Sequence, residues 1–154
     1  MKQINTYISE KLHLNKDFEP KYKYHPSGRL ALRRIVIQLI KERGKDADLN
    51  DIDTSKVERM FSIFSDLDPH NINISEWNVS NVKDMRAMFY GCKNFNCDIS
   101  KWDVSKVQDM SVMFLGCEKF DCDLENWKVN APRNMQYGAF DKCESLKIPS
   151  WYKG

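Results

Sequence analysis

The sequence predicts an α/β fold: a right-handed solenoid of about four 25-residue coils with short parallel strands, closed at one end by an N-terminal α-helix. Three observations predict it. One pattern of apolar, turn and aromatic residues recurs at a fixed interval between Asp48 and Leu146. Within each unit the apolar spacing changes from alternation to threes and fours, the signatures of strand and helix. An amphipathic segment, Arg29 to Arg43, directly precedes the first unit.

The clearest unit contains Ile99, Trp102, Val104, Ser105, Val107, Met110, Met113, Phe114, Gly116, Cys117 and Phe120. Ile74, Trp77, Val79, Ser80, Val82, Met85, Met88, Phe89, Gly91, Cys92 and Phe95 repeat it one period earlier. Leu124, Trp127, Val129 and Met135 repeat it one period later, after which one extra residue sets Phe140 and Cys143 back by a position. Ile52, Thr54, Ser55, Val57, Met60, Ile63, Phe64 and Leu67 form a weaker first copy. A period of this size marks a stacked architecture, because one unit cannot bury its own apolar face.

Taken in order, Ile4, Tyr7, Ile8 and Leu12 have helical spacing and predict a short amphipathic helix over residues 1–15, suited to docking. Residues 16–28 hold Pro20, Pro26 and Gly28 among Lys and Tyr, which predicts an extended linker. Together 1–28 form an arm and linker. Residues 29–45 follow as a capping helix, with Leu30, Leu32, Ile35, Val36, Leu39 and Ile40 as its apolar face. Arg33, Arg34, Lys41 and Arg43 load the other side, and Gly44 ends it. Residues 46–154 form the repeat domain. In each unit Trp102 and Val104, two apart, predict a strand, while Met110, Met113, Phe114 and Cys117 predict one face of a short helix. Strand and helix on opposite sides of a coil describe a leucine-rich-repeat-like architecture. Its expected ladders are Ile52/Trp77/Trp102/Trp127, Met60/Met85/Met110/Met135 and Leu67/Cys92/Cys117/Cys143.

Hydrophobic content of 42% with 30% charged residues is that of an ordinary soluble protein. The net charge of +2 conceals a basic first part, +7 over residues 1–45, and an acidic remainder, −5 over 46–154. No apolar run reaches the roughly 18 residues of a membrane span, and the first residues form no signal peptide. A cytoplasmic protein with five free thiols is expected.

The segment Ile-Ser-Lys-Trp-Asp-Val-Ser-Lys-Val-Gln-Asp-Met-Ser-Val-Met-Phe-Leu-Gly-Cys, 99–117, resembles the BspA-like leucine-rich repeat. It is similar to the variant abundant in mycoplasma and gut-bacterial surface proteins, over residues 48–146. The resemblance implies a curved solenoid and a binding role, with no catalytic residues to carry over. Residues 1–15 also resemble leader tags of large tailed phages and their hosts.

Candidate chemistry is sparse. Cys92-x4-Cys97 and Cys117-x4-Cys122 have near-metal spacing, but their repeat positions are otherwise apolar, so they are assigned to packing and no metal is expected. His13, His25 and His70 have no nucleophile at a recognisable spacing, and Asp46 to Asp53 lacks the Gly and Glu of a calcium loop. No cofactor and no enzymatic activity are expected. The function predicted is protein–protein interaction through exposed positions between the ladders: Glu76, Asn78, Lys101, Asp103, Glu125 and Lys128. Ile4, Tyr7, Ile8 and Leu12 would add a docking contact. The alternatives are a phage- or capsid-associated structural protein, virion-associated and addressed by residues 1–15, and a nucleic-acid binder using basic residues 16–45.

Overall fold

The computed structural model describes residues 20–154; the docking residues Ile4, Tyr7, Ile8 and Leu12 lie outside them. The regular elements described are one α-helix, α1 (Arg29–Arg43), and a single 3-10 turn, Arg133–Met135. No strand or sheet forms among the described residues. Only isolated parallel bridges occur, at Tyr24–Ile52, Asp48–Asn73, Arg59–Asp84 and Asp84–Asp109. The expected α/β fold, a leucine-rich-repeat-like solenoid of parallel strands and short helices, is therefore incorrect.

The backbone explains the difference. Each unit is a succession of tight turns: Met113 N–H donates to Met110 O at 3.1 Å, Cys117 to Phe114 O at 2.9 Å and Phe120 to Cys117 O at 3.2 Å. A helix would have to run through Val112 and Gly116, but these have φ of 50° and 81°. The same left-handed positions recur in the other units as Ser62, Ala87 and Gly138, and as Asp66, Gly91 and Lys142. A residue in that region reverses the local handedness and stops helix propagation. Intervening amides leave the unit altogether. Met85, Ala87, Phe89 and Gly91 donate to the carbonyls of Asp109, Ser111, Met113 and Leu115 in the next unit, at 2.8–3.0 Å.

These cross-unit bonds also rule out a parallel ladder. Paired parallel strands exchange bonds in both directions. In this strip exchange in both directions is confined to the isolated bridges, where Lys83 donates back to Glu58 and Gln108 to Lys83. Beyond them the bonds run one way: Met60, Ser62 and Phe64 donate to Asp84, Arg86 and Met88, while Met110, Val112, Phe114 and Gly116 donate to Met135, Tyr137, Ala139 and Asp141. The strip therefore has a carbonyl end at the first unit and an amide end at the last.

Side chains stack along the same axis. Phe64, Phe89, Phe114 and Phe140 follow one another at 5.2, 5.3 and 5.6 Å between centroids, with planes within 12° of parallel. Trp77, Trp102 and Trp127 are buried, and each indole N–H donates to the carbonyl 28 residues back: Leu49, Ile74 and Ile99, at 2.9–3.2 Å. Trp151 adds a fourth such bond, to Leu124 O at 2.8 Å. Burying an indole without an acceptor would leave its N–H unsatisfied, at about 1–3 kcal/mol.

One ladder differs from expectation. Met60, Met85 and Met110 are buried, but Met135 is 36% exposed. Met135 accepts from Met110 N–H as Asp109 accepts from Met85, so it occupies the Asp109 position. The extra residue thus enters before Met135 rather than after it. Gln136 takes the buried methionine position, its amide donating to Ala131 O at 2.7 Å and accepting from Lys153 N–H.

Helix α1 closes the carbonyl end. Leu32, Val36 and Leu39 are its buried stripe, whereas Leu30, expected in the apolar face, is 66% exposed. Gly44 ends the helix at φ 91° and ψ 177°, a conformation open essentially to glycine alone. Arg33, expected on the solvent side, turns inward with Arg29. Arg29 Nε donates to Phe61 O at 2.7 Å, and Arg33 donates to the carbonyls of Ser62, Ile63 (2.8 Å) and Ser65 (3.2 Å). In the next two units the corresponding carbonyls, Arg86/Ser111, Met88/Met113 and, in the third unit, Leu115, accept amides of the preceding unit. The guanidinium groups replace a missing preceding turn.

Candidate protein-interaction face

The six expected partner-binding residues all lie at the surface, on two short corners of each unit. These corners form because an Asp or Asn side chain folds back onto the residue two further on, a local alternative to helix or strand. Asn73 Oδ1 accepts from Ser75 N–H and Oγ, and Asp98 Oδ1 from Ser100 N–H and Oγ. Asn78 holds Ser80 and Asp103 holds Ser105 in the same way, at 3.1 Å to each amide. One row therefore runs Asp51, Glu76, Lys101, Asn126 and a second runs Asp53, Asn78, Asp103, Lys128, with the buried indoles between them.

The corners also assign duties to most of the candidates. Asn78 and Asp103 are turn-formers, and the two hydrogen bonds from Ser105 hold the Asp103 carboxyl below its ordinary range. Glu76 pairs with Lys21 at 3.2 Å. Glu125 accepts from both the amide and the hydroxyl of Ser150, which lower its pKa. Lys101 and Lys128 are left as exposed charges with no ion pair to a described residue. Five of the six thus stand in the two rows, Asn126 rather than Glu125 holding the last place of the first, and only the two lysines carry a charge with no hydrogen bond or ion pair to a described residue.

The expected linker contributes to this face. Lys23 and Tyr24 N–H both donate to Asp51 O, and Tyr24 O accepts from Asp53 N–H at 2.8 Å. His25 Nδ1 lies 3.3 Å from Asp53 Oδ2. Arg43 forks onto Asp51 at 2.8 and 3.0 Å, and this pair holds the Asp51 carboxyl low. Residues 21–25 therefore cover the first-unit end of both rows. Arg29, Arg33 and Arg43 donate to protein carbonyls or to Asp51, which withdraws three of the basic groups counted toward nucleic-acid binding.

Sequence reasoning missed a second charged surface, next to the strip. Arg86 bridges Asp84 (2.7 Å) and Asp109 (3.4 Å), and Lys83 meets Glu58 at 2.8 Å. The recurrence of Asp84 and Asp109 at the repeat period was its available signal. A depression of about 640 Å³ lies where the cap meets the first unit, lined by Gly28, Arg29, Lys56, Arg59 and Phe61, away from the expected face.

The cysteines belong to packing. Cys92, Cys117 and Cys143 Sγ point at the carbonyls of Phe64, Phe89 and Phe114 at 3.3, 3.1 and 3.0 Å. Burial pushes the Cys92 thiol up to about 12 and Cys143 to about 11. Among the described residues no three His, Cys, Asp or Glu side chains gather as a metal site. No helix there is long and apolar enough to cross a membrane.

The family model described as "Mycoplasma protein of unknown function, DUF285" matches residues 36–151. The chain belongs to this family. The DUF285 match takes in the second part of α1, all the stacked units and Trp151. No curated protein and no solved structure matches the chain.

Proposed function

We propose that this DUF285 member is a non-enzymatic protein-binding module, its units akin to BspA-like repeats. The observation that carries the reading is the pair of surface rows held at fixed spacing by the Asx corners, with Lys101 in the first row and Lys128 in the second, each without an ion pair to a described residue. A face of this kind presents charge from successive units to a partner without reorganising, which keeps the ordering cost of association low. Glu76, Asn78, Asp103 and Glu125 complete the surface, Asn78 and Asp103 while also holding their turns.

The test is capture by the immobilised full chain from a lysate of its source organism, compared with a Lys101→Glu/Lys128→Glu variant. Proteins retained by the native chain and lost by the variant, at unchanged melting temperature, support the face. Identical capture by both would reject it.

A further inference from the structure

Helix α1 carries a second stripe, opposite the one that caps the stack. At helical spacing Leu30, Arg34, Ile37 and Lys41 fall on one side, away from buried Leu32, Val36 and Leu39. Leu30 and Ile37 are 66% and 42% exposed, with two helical turns, about 10 Å, between them. Arg34 and Lys41 stand beside them, exposed and with no hydrogen bond or ion pair to a described residue. At its N-terminal end the stripe runs into the depression against the first unit, because Leu30 lines that depression too. There Arg29 is held 3.7 Å over the Phe61 ring, and Lys56 and Arg59 are exposed with no side-chain hydrogen bond or ion pair to a described residue. Glu58, the acid among the described lining residues, is neutralised by Lys83 at 2.8 Å. Scattered exposed apolar residues need no explanation. Two on one helical stripe, flanked by four unpaired cations and a concavity, are an amphipathic surface without its counterpart.

We propose that the outer side of α1 and this depression form a docking site for an acidic amphipathic helix of another protein. Its apolar residues rest on Leu30 and Ile37, and its carboxylates meet Arg34, Lys41, Lys56 and Arg59. Charge complementarity selects this occupant. A second copy docking through the same face would set these cations against their equals, and α1 is the one α-helix among the described residues that a copy could offer. Residues 1–15 hold Lys2 and Lys11 against Glu10, so their charge does not complement the site. A nucleic-acid backbone would satisfy the cations but leave Leu30 and Ile37 facing water, and a flat anionic bilayer does not enter the depression. The site shares no residue with the lateral face of Lys101 and Lys128.

The probe is a blocked synthetic peptide of about 15 residues, Leu along one helical face and Glu on its flanks, titrated into the isotope-labelled full chain at low salt. The expected result is that the amide signals of Leu30, Arg34, Ile37, Lys41, Lys56 and Arg59 shift together. Replacing Glu by Gln in the peptide, or raising salt to about 0.5 M, should weaken binding about tenfold. Arg34→Glu/Lys41→Glu and, separately, Lys56→Glu/Arg59→Glu should each weaken it about tenfold, and Leu30→Ser about fivefold, at unchanged melting temperature. Lys101→Glu/Lys128→Glu should leave it unaltered. The proposal is overturned if nothing binds at about 1 mM peptide, if the Gln peptide binds equally, or if the shifts fall on the lateral rows. It is also overturned if duplex DNA or phosphatidylglycerol vesicles bind these residues more tightly than the peptide, or if the free chain already shows contacts from Ile4 or Tyr7 to Leu30.

Discussion

Arg33 reaches across thirty positions of sequence to donate to the Ile63 carbonyl at 2.8 Å, where the interior units use a backbone amide. A helix can cap this stack only if its side chains supply donors in that place, and the planar guanidinium fork supplies several from one residue. Arg33→Leu should therefore lower stability by about 1–3 kcal/mol, the cost of leaving buried acceptors unpaired. Arg33→Lys should restore only part of it. Arg34→Leu, on the exposed side of α1, should stay within about 0.5 kcal/mol in the same urea titration.

The indole ladder makes a second prediction. Trp102→Phe keeps most of the apolar area but takes the 3.2 Å indole donor from Ile74 O, which retains the Trp77 amide at 3.1 Å, so the loss should be about 0.5–1.5 kcal/mol. Trp102→Ala adds a cavity and should cost about 3–5 kcal/mol. Equal losses for the two variants in chemical denaturation would remove the hydrogen bond from the account.

Left-handed positions predict unequal tolerance of alanine. At Gly138, with φ 62°, an added Cβ would lie 3.3 Å from both Val112 Cγ1 and Asp141 Oδ2. Gly138→Ala should cost about 1–2 kcal/mol from backbone handedness alone, and more from the contact. Gly28, in extended backbone with nothing within 4 Å, should accept alanine with little change in melting temperature.

Stability should fall at both ends of the pH range. Asp51, Asp53, Asp98 and Asp103 are held low, by Arg43 for the first and by Ser55, Ser100 and Ser105 for the others. Groups depressed in the folded state contribute stability above their unfolded pKa and lose it as pH falls below about 4. The buried thiols act oppositely. Cys92, Cys122 and Cys143 are raised by burial to about 12, 11 and 11, so they stay protonated in the fold while unfolded thiols ionise. Stability should decline as pH rises above about 9, and replacing Cys92 and Cys143 with alanine should flatten that limb in urea titrations across pH.

Much of the core was legible in the sequence, because period and polarity report which side chains face inward: the Trp77, Trp102 and Trp127 indoles and the Phe64, Phe89 and Phe114 rings are buried as their recurrence predicted. Helix α1 was legible from its apolar spacing and from Gly44. The backbone between these points was not. Met110, Met113, Phe114 and Cys117 share one face whether they lie on a helix or on consecutive turns, and only Val112 at φ 50° separates the two. Nothing in a valine announces that angle. Met135 misled because it resembles its ladder while the buried place goes to Gln136. The candidate face was legible as a set of exposed positions, but the turn-forming duty of Asn78 and Asp103 depends on bonds from Ser80 and Ser105, and an exposed serine two residues on does not by itself announce such a bond.

The most direct test is detection of scalar couplings across hydrogen bonds by NMR on the labelled chain. Correlations from the amide nitrogens of Met85, Ala87, Phe89 and Gly91 to the carbonyl carbons of Asp109, Ser111, Met113 and Leu115 are expected, with none running back to the preceding unit from the amides of Ser111, Met113 and Leu115. Correlations to carbonyls four residues earlier, or a ladder of couplings in both directions, would contradict the one-way stack.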